Sequence, residues 1–220
     1  MVKIIRYHFA AWFALLILLI PLTAHSDQND NTLADTHSVK LLVLGDSLSA
    51  AYGLTADQGW VSLLQNKWKE NQSGIEVINA AISGETTDGG LARLPRLLEQ
   101  HQPTHLLIEL GGNDGLQGHN VNKLRNNIRE MTKIGKSAGA KVMIQEMQIP
   151  TNYGRRYNKL FTESFKIVAE EMKVPLVPFF LMDVALNQDL MQRDGIHPNA
   201  EAQPIIAEFM RDELEPLLVD

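Results

Sequence analysis

Apolar runs alternate with amphipathic stretches along residues 39–218. Five runs are short and nearly continuous: 39–44 (VKLLVL), 75–81 (IEVINAA), 105–110 (HLLIEL), 141–147 (KVMIQEM) and 175–178 (PLVP). Such runs predict strands covered on both faces. The last carries Pro175 and Pro178, which cannot donate to a ladder, so it belongs at or near a sheet edge. Between the runs, apolar residues recur at helical spacing. Trp60, Leu63, Leu64, Lys67 and Trp68 predict a helix over 58–68, with Trp60, Leu64 and Trp68 on one face. Leu91, Leu94, Leu97 and Leu98 predict a helix over 91–100, with Pro95 early enough to be tolerated. Further helices are expected over 122–137, ending before Gly139, and over 156–172 and 201–218. Pro204 conflicts with a helix that begins near Asn199, and an irregular first turn resolves the conflict.

Strands alternating with helices predict an α/β fold built on a parallel sheet of about five strands. In such folds the ligand site lies beyond the carboxyl ends of the strands. There is no internal repeat, and 220 residues suit one domain.

The N-terminus has its own pattern. Lys3 and Arg6 precede an apolar run over 9–20, Pro21 ends it, and Ala24-His25-Ser26 offers small residues for cleavage. Residues 1–26 therefore read as a signal peptide cleaved after Ser26. An uncleaved anchor is the alternative, although the run is shorter than the roughly 18 apolar residues of a spanning helix. Residues 27–38 read as a flexible polar leader and 39–220 as the domain, in a periplasmic or secreted protein with no stable membrane anchor after cleavage.

Composition narrows the chemistry. The net charge is −6, which opposes non-specific nucleic-acid binding. The absence of cysteine excludes disulfides, thiol catalysis and a lipid-anchor cysteine. His101, His105 and His119 lack metal-ligand spacing, and no phosphate-cradling glycine motif is present, so neither metal nor cofactor is expected.

Four segments fall at the expected sheet edge: Gly45-Asp46-Ser47, Ser83-Gly84-Glu85-Thr86, Gly111-Gly112-Asn113-Asp114 and Asp194-Gly195-Ile196-His197-Pro198. Together they supply a hydroxyl, a glycine amide, a carboxamide and an acid–imidazole pair. Acyl transfer through serine needs that set. A serine hydroxyl requires a base within hydrogen-bond reach, and imidazole, with an ordinary pKa of about 6.5, suits that task. A carboxylate must hold the imidazole in one tautomer, and Asp194, three residues before His197, can fold back onto it. The oxyanion formed on attack needs N–H donors, which the Ser47 amide, Gly84 and the Asn113 carboxamide can provide. Taken singly, each residue has a plainer reading: Ser47 a helix cap, Gly84 and Asn113 turn residues, Asp194 a turn cap, His197 a loop histidine. The serine is not in a G-x-S-x-G elbow, because Ser49 stands where the last glycine would be.

These four blocks, in this order, resemble the SGNH or GDSL hydrolases. The segments LGDSLSAAYGL, ISGETTDGGLARLP, ELGGNDGLQG, IPTNYGRRYN and DGIHPNAEAQP are similar to a subgroup of bacterial periplasmic thioesterases and lysophospholipases, also described as proteases and arylesterases. The resemblance covers residues 41–218. It implies a flavodoxin-like three-layer αβα sandwich and hydrolysis of acyl thioesters, lysophospholipids and small aryl esters. Ala51 departs from the glycine of many relatives and is expected to narrow the space behind Ser47. Arg155-Arg156 reads as solvated surface or as a contact for an anionic head group, and His119 as a candidate pocket residue. Expected partners are the acyl substrate alone, on a monomer. Two competing readings are a carbohydrate O-acetylesterase and a non-catalytic flavodoxin-like binding module.

Overall fold

The computed structural model describes residues 39–219; the expected signal peptide and leader lie outside them. Strands β1 (Val39–Gly45), β2 (Ile75–Asn79), β3 (His105–Glu109), β4 (Lys141–Gln145) and β5 (Leu176–Val177) form one sheet in the order β2-β1-β3-β4-β5. Every neighbouring pair is parallel. The two-residue β5 is an edge strand, as its prolines require.

Helices α1 (Trp60–Glu70), α2 (Thr87–His101), α3 (Gly112–Leu116), α4 (Val121–Ser137), α5 (Arg155–Met172) and α6 (Gln203–Leu218) complete the fold. Side chains alternate across β1 and so divide the core in two. Leu41 and Val43 face Trp60, Leu64 and Trp68 of α1 and Ile206 and Met210 of α6. Leu42 and Leu44 face Leu94 of α2, Ile128 and Met131 of α4 and Phe165 of α5. The result is the three-layer αβα sandwich expected, with burial on both faces explaining the unbroken apolar strands. Gln203 joins two helices on the first face: its Oε1 accepts the leading Trp60 N–H at 2.9 Å, a group that α1 cannot satisfy internally.

One expectation needs correction. Helix α2 starts at Thr87, four residues before the apolar stripe, which leaves Pro95 in its interior on the exposed side. The start is set from a distance, because Asp114 accepts the Thr87 N–H at 2.8 Å and its hydroxyl at 2.6 Å. The third glycine-rich block is not a plain loop: only Gly111, at φ 116°, is left-handed, and Gly112–Leu116 is a short helix. Pro204 behaves as expected, sitting second in α6 behind a turn in which Asn199 Oδ1 accepts the N–H groups of Glu201 and Ala202.

The chain runs from β1 outward to β2, then returns to place β3 on the other side of β1. The ends of β1 and β3 therefore flank the point where the strand order reverses, which is where open α/β sheets bind ligands. Among the described residues, no helix is long and apolar enough to cross a membrane.

Candidate active site

Behind β1, residues 47–53 form consecutive turns and no helix for Ser47 to cap. Asp46 O accepts the Ala50 N–H at 2.9 Å, and Ser47 O accepts the Tyr52 N–H at 3.2 Å. Asp46 Oδ1 accepts the Leu48 N–H at 3.0 Å, so this carboxylate folds the turn that presents Ser47. Beneath the turn lies Glu109, at the end of β3 and fully buried. Its Oε2 accepts the Ser49 hydroxyl at 2.6 Å and the Asp46 N–H at 3.2 Å. Gly45 makes this approach feasible, because a Cβ there would stand 2.5 Å from Glu109 Oε2. Burial raises Glu109 well above the ordinary carboxylate range; neighbouring Asp46 adds to the rise, and the two donors oppose it. Burial likewise raises Asp46 to about 6, against the pull of the Leu48 N–H and His197.

The fourth block is built differently. Asp194 Oδ1 accepts the N–H groups of Ile196 at 2.9 Å and His197 at 3.0 Å, while Oδ2 lies 2.7 Å from His197 Nδ1. Its partial burial raises the pKa, but the bonds from His197 and Ile196 outweigh that and lower it to about 2. An ionised carboxylate only accepts, so Nδ1 carries the proton and the Nε2 lone pair faces Ser47 Oγ, 2.8 Å away. The Tyr52 ring stands against the imidazole, with centroids 4.3 Å apart and planes 36° apart. Gln192 Nε2 donates to Tyr52 O at 2.7 Å and to Pro198 O at 3.1 Å.

Asn113 Nδ2 donates to Glu85 O at 2.9 Å and, more weakly, to Asp46 Oδ2 at 3.3 Å. It thereby joins the second and third blocks to the first. Gly84 has φ +80° with nothing within 4 Å of where a Cβ would stand. Its glycine answers to backbone conformation, not to crowding.

Ser47, Asn113 and His197 line one cavity of about 450 Å³, whose wall is largely apolar: Leu48, Leu116, Met147, Ile149, Phe179, Leu181 and Ile196 contribute. Gly84 sits next door, beyond Glu85. Three other sequence candidates lie elsewhere. His119 turns its Nδ1 towards Asp114 Oδ1, at 3.7 Å, instead of lining the cavity. Arg155 and Arg156 are exposed at the start of α5, outside the lining. Ala51 adopts φ 57° and packs against Gly59, where an added Cβ would lie 2.7 Å from its own. It does not narrow the cavity. Among the described residues, no group of three His, Cys, Asp or Glu could hold a metal ion.

Sequence reasoning missed Glu109, Asp114, Tyr52 and Gln192. Glu109 carried a signal, being a carboxylate inside an apolar strand. Asp114 was noted only as part of a turn, while Tyr52 and Gln192 carried no signal.

Comparison with known proteins gives a consistent result. The model of the GDSL-like lipase/acylhydrolase family matches residues 43–204. The chain is 49% identical over 178 residues to the thioesterase 1/protease 1/lysophospholipase L1 of Escherichia coli strain K12, covering 81% of this chain and 84% of that protein. It is 47% identical over 181 residues to an arylesterase of Vibrio mimicus, covering 82% and 90%. Among solved structures, the psychrotrophic esterase EstA of a Pseudoalteromonas species, inhibited by monoethylphosphonate, superposes with a TM-score of 0.81 at 49% identity, covering 83% of this chain and all of that one. With three of the four blocks lining one cavity, the second tied to it through Glu85 O, and a family match across most of its length, the chain belongs to the GDSL-like lipase/acylhydrolase family.

Proposed function

We propose that this chain is a serine acyl hydrolase acting on acyl thioesters, lysophospholipids and small esters, with Ser47, His197 and Asp194 as its catalytic residues. The observation that carries the reading is the relay from Asp194 to His197 at 2.7 Å and from His197 to Ser47 at 2.8 Å, opening onto an apolar cavity. Ser47 Oγ attacks the acyl carbonyl while Nε2 takes its proton, and Asp194 stabilises the imidazolium. The same proton then passes to the departing thiol or alcohol. Water, deprotonated by Nε2, attacks the acyl-enzyme, and the proton taken from it returns to Ser47 Oγ as the acid leaves.

The oxyanion is received by the Ser47 and Gly84 amides and by Asn113 Nδ2. Asn113 gives up its 3.3 Å bond to Asp46 for this and keeps the 2.9 Å bond to Glu85 O, which aims it. The apolar wall favours a lipid-like acyl chain over acetyl, because an acetyl group would leave most of the 450 Å³ cavity unfilled. The pattern of the first 26 residues supports export.

The test is a fluorophosphonate probe, expected to label Ser47 at neutral pH and not to label Ser47→Ala, whose turnover should fall by at least ~10⁴-fold at unchanged melting temperature. An unlabelled wild-type protein ends the serine-hydrolase reading. A nitrophenyl ester series that favours acetyl would replace the lipid reading with the O-acetylesterase one.

A further inference from the structure

We propose that Tyr52 is a positioning residue that holds His197 by the face of its ring, and that Gln192 is the clamp that keeps Tyr52 in place. The inference rests on His197 acting as the base.

The two bonds at Nδ1 and Nε2 lie in the plane of the imidazole and fix one line through it. A pivot about that line is resisted only by the bond to Cβ and by whatever stands against the ring face. Tyr52 blocks the pivot, with its ring 4.3 Å away on the imidazole face. A tyrosine 49% exposed gains little from core packing, and this contact gives its placement a purpose. The backbone on both sides is turned to deliver it, with Ala51 at φ 57° and Gly53 at φ 76°.

Gln192 ties that delivery to the histidine. Its Nε2 bonds Tyr52 O and Pro198 O, while its own N–H donates to His197 O at 2.7 Å. One residue thus joins the nucleophile turn to the backbone of His197 and its successor. The fit is close: a Cβ on Gly53 would stand 2.4 Å from Gln192 Oε1. When Nε2 takes the Ser47 proton the imidazole becomes a cation, and the face of an aromatic ring is a favourable neighbour for it.

Steady-state kinetics on a nitrophenyl ester test the device in Tyr52→Ala, Tyr52→Phe, Gln192→Ala and the double alanine variant. Loosening a catalytic group by a fraction of an ångström should lower kcat roughly tenfold in each single alanine variant, with KM within about twofold. Tyr52→Phe should restore the turnover lost in Tyr52→Ala. The double variant should be no slower than the slower single, because both act through one contact. Unchanged kcat in Tyr52→Ala, or a loss confined to KM, overturns the proposal; losses that multiply in the double variant overturn the clamp. Circular dichroism checks folding, and Tyr52→Leu, which keeps apolar bulk without the ring face, carries the same expectation as alanine. Ser47→Ala separates the two readings: if it abolishes turnover while Tyr52→Ala does nothing, only this inference fails, and if it retains turnover the base assignment itself fails.

Discussion

The two halves of the site are held in different ways. On the Ser47 side, Asp46, Ser49 and Glu109 are at most 2% exposed and bond one another beneath the turn. On the His197 side, Asp194, Gly195 and Ile196 are exposed, and the loop is fixed by the Asp194 carboxylate and by Gln192. The turn that carries Ser47 therefore rests directly on the folded core, whereas His197 sits on a surface loop attached to it. Damage to the buried network beneath Ser47 should register in stability, and damage to the His197 loop chiefly in turnover.

The largest effect that sharpens this contrast is Asp194→Asn. The amide would favour the wrong imidazole tautomer, and kcat should fall by roughly 10⁴-fold, while the melting temperature at neutral pH drops only modestly, because the amide oxygen can still accept the Ile196 and His197 N–H groups. A large drop in melting temperature would mean that the histidine loop also supports the fold. Next comes Asn113→Ala, for which turnover should fall about 10²–10³-fold with little change in KM. Single-turnover kinetics that match wild type would remove Asn113 from the oxyanion site.

The smallest effect belongs to the buried half alone. Glu109 is raised in the folded protein, so folding favours its protonated form. Its contribution is full below the ordinary value of 4.5 and is lost as pH rises through the raised one. Asp46 has the same sign, but its window runs from 3.8 to about 6. Asp194 has the opposite sign, and its contribution is lost only as pH falls from 3.8 towards about 2. As pH rises above 4.5, the melting temperature of the wild type should therefore fall more than that of Glu109→Gln. Parallel melting curves across that range would show that Glu109 does not titrate there, and the contrast between the halves would lose its electrostatic basis.

The sheet was legible because strands covered on both faces must be apolar throughout, and 39–44 and 105–110 advertised it. The four blocks were legible because their chemistry is scarce and their order is informative. What escaped was tertiary. In Thr87-Asp88-Gly89-Gly90 only the first-turn acid Asp88 favours a helix, and two glycines oppose one. The helix starts there because Asp114 caps it from another block, and because Gly90 admits the Leu110 side chain, which a Cβ would meet at 2.2 Å. Asp46 folds the Ser47 turn through a local bond, but the carboxyl group bracing it from below lies 63 residues away. Gln192 reads as an ordinary polar residue until Tyr52 is brought beside it.

Ala51 and Gly59 share a single vacancy. A left-handed alanine costs roughly 1–2 kcal/mol relative to its preferred conformations, and its methyl group is accommodated only because position 59 has none. The two positions hold one methyl group between them, so each sets the residues the other can tolerate. The backbone that delivers Tyr52 to His197 thus carries a mutational constraint reaching to the threshold of α1, in a segment that contributes no atom to the chemistry.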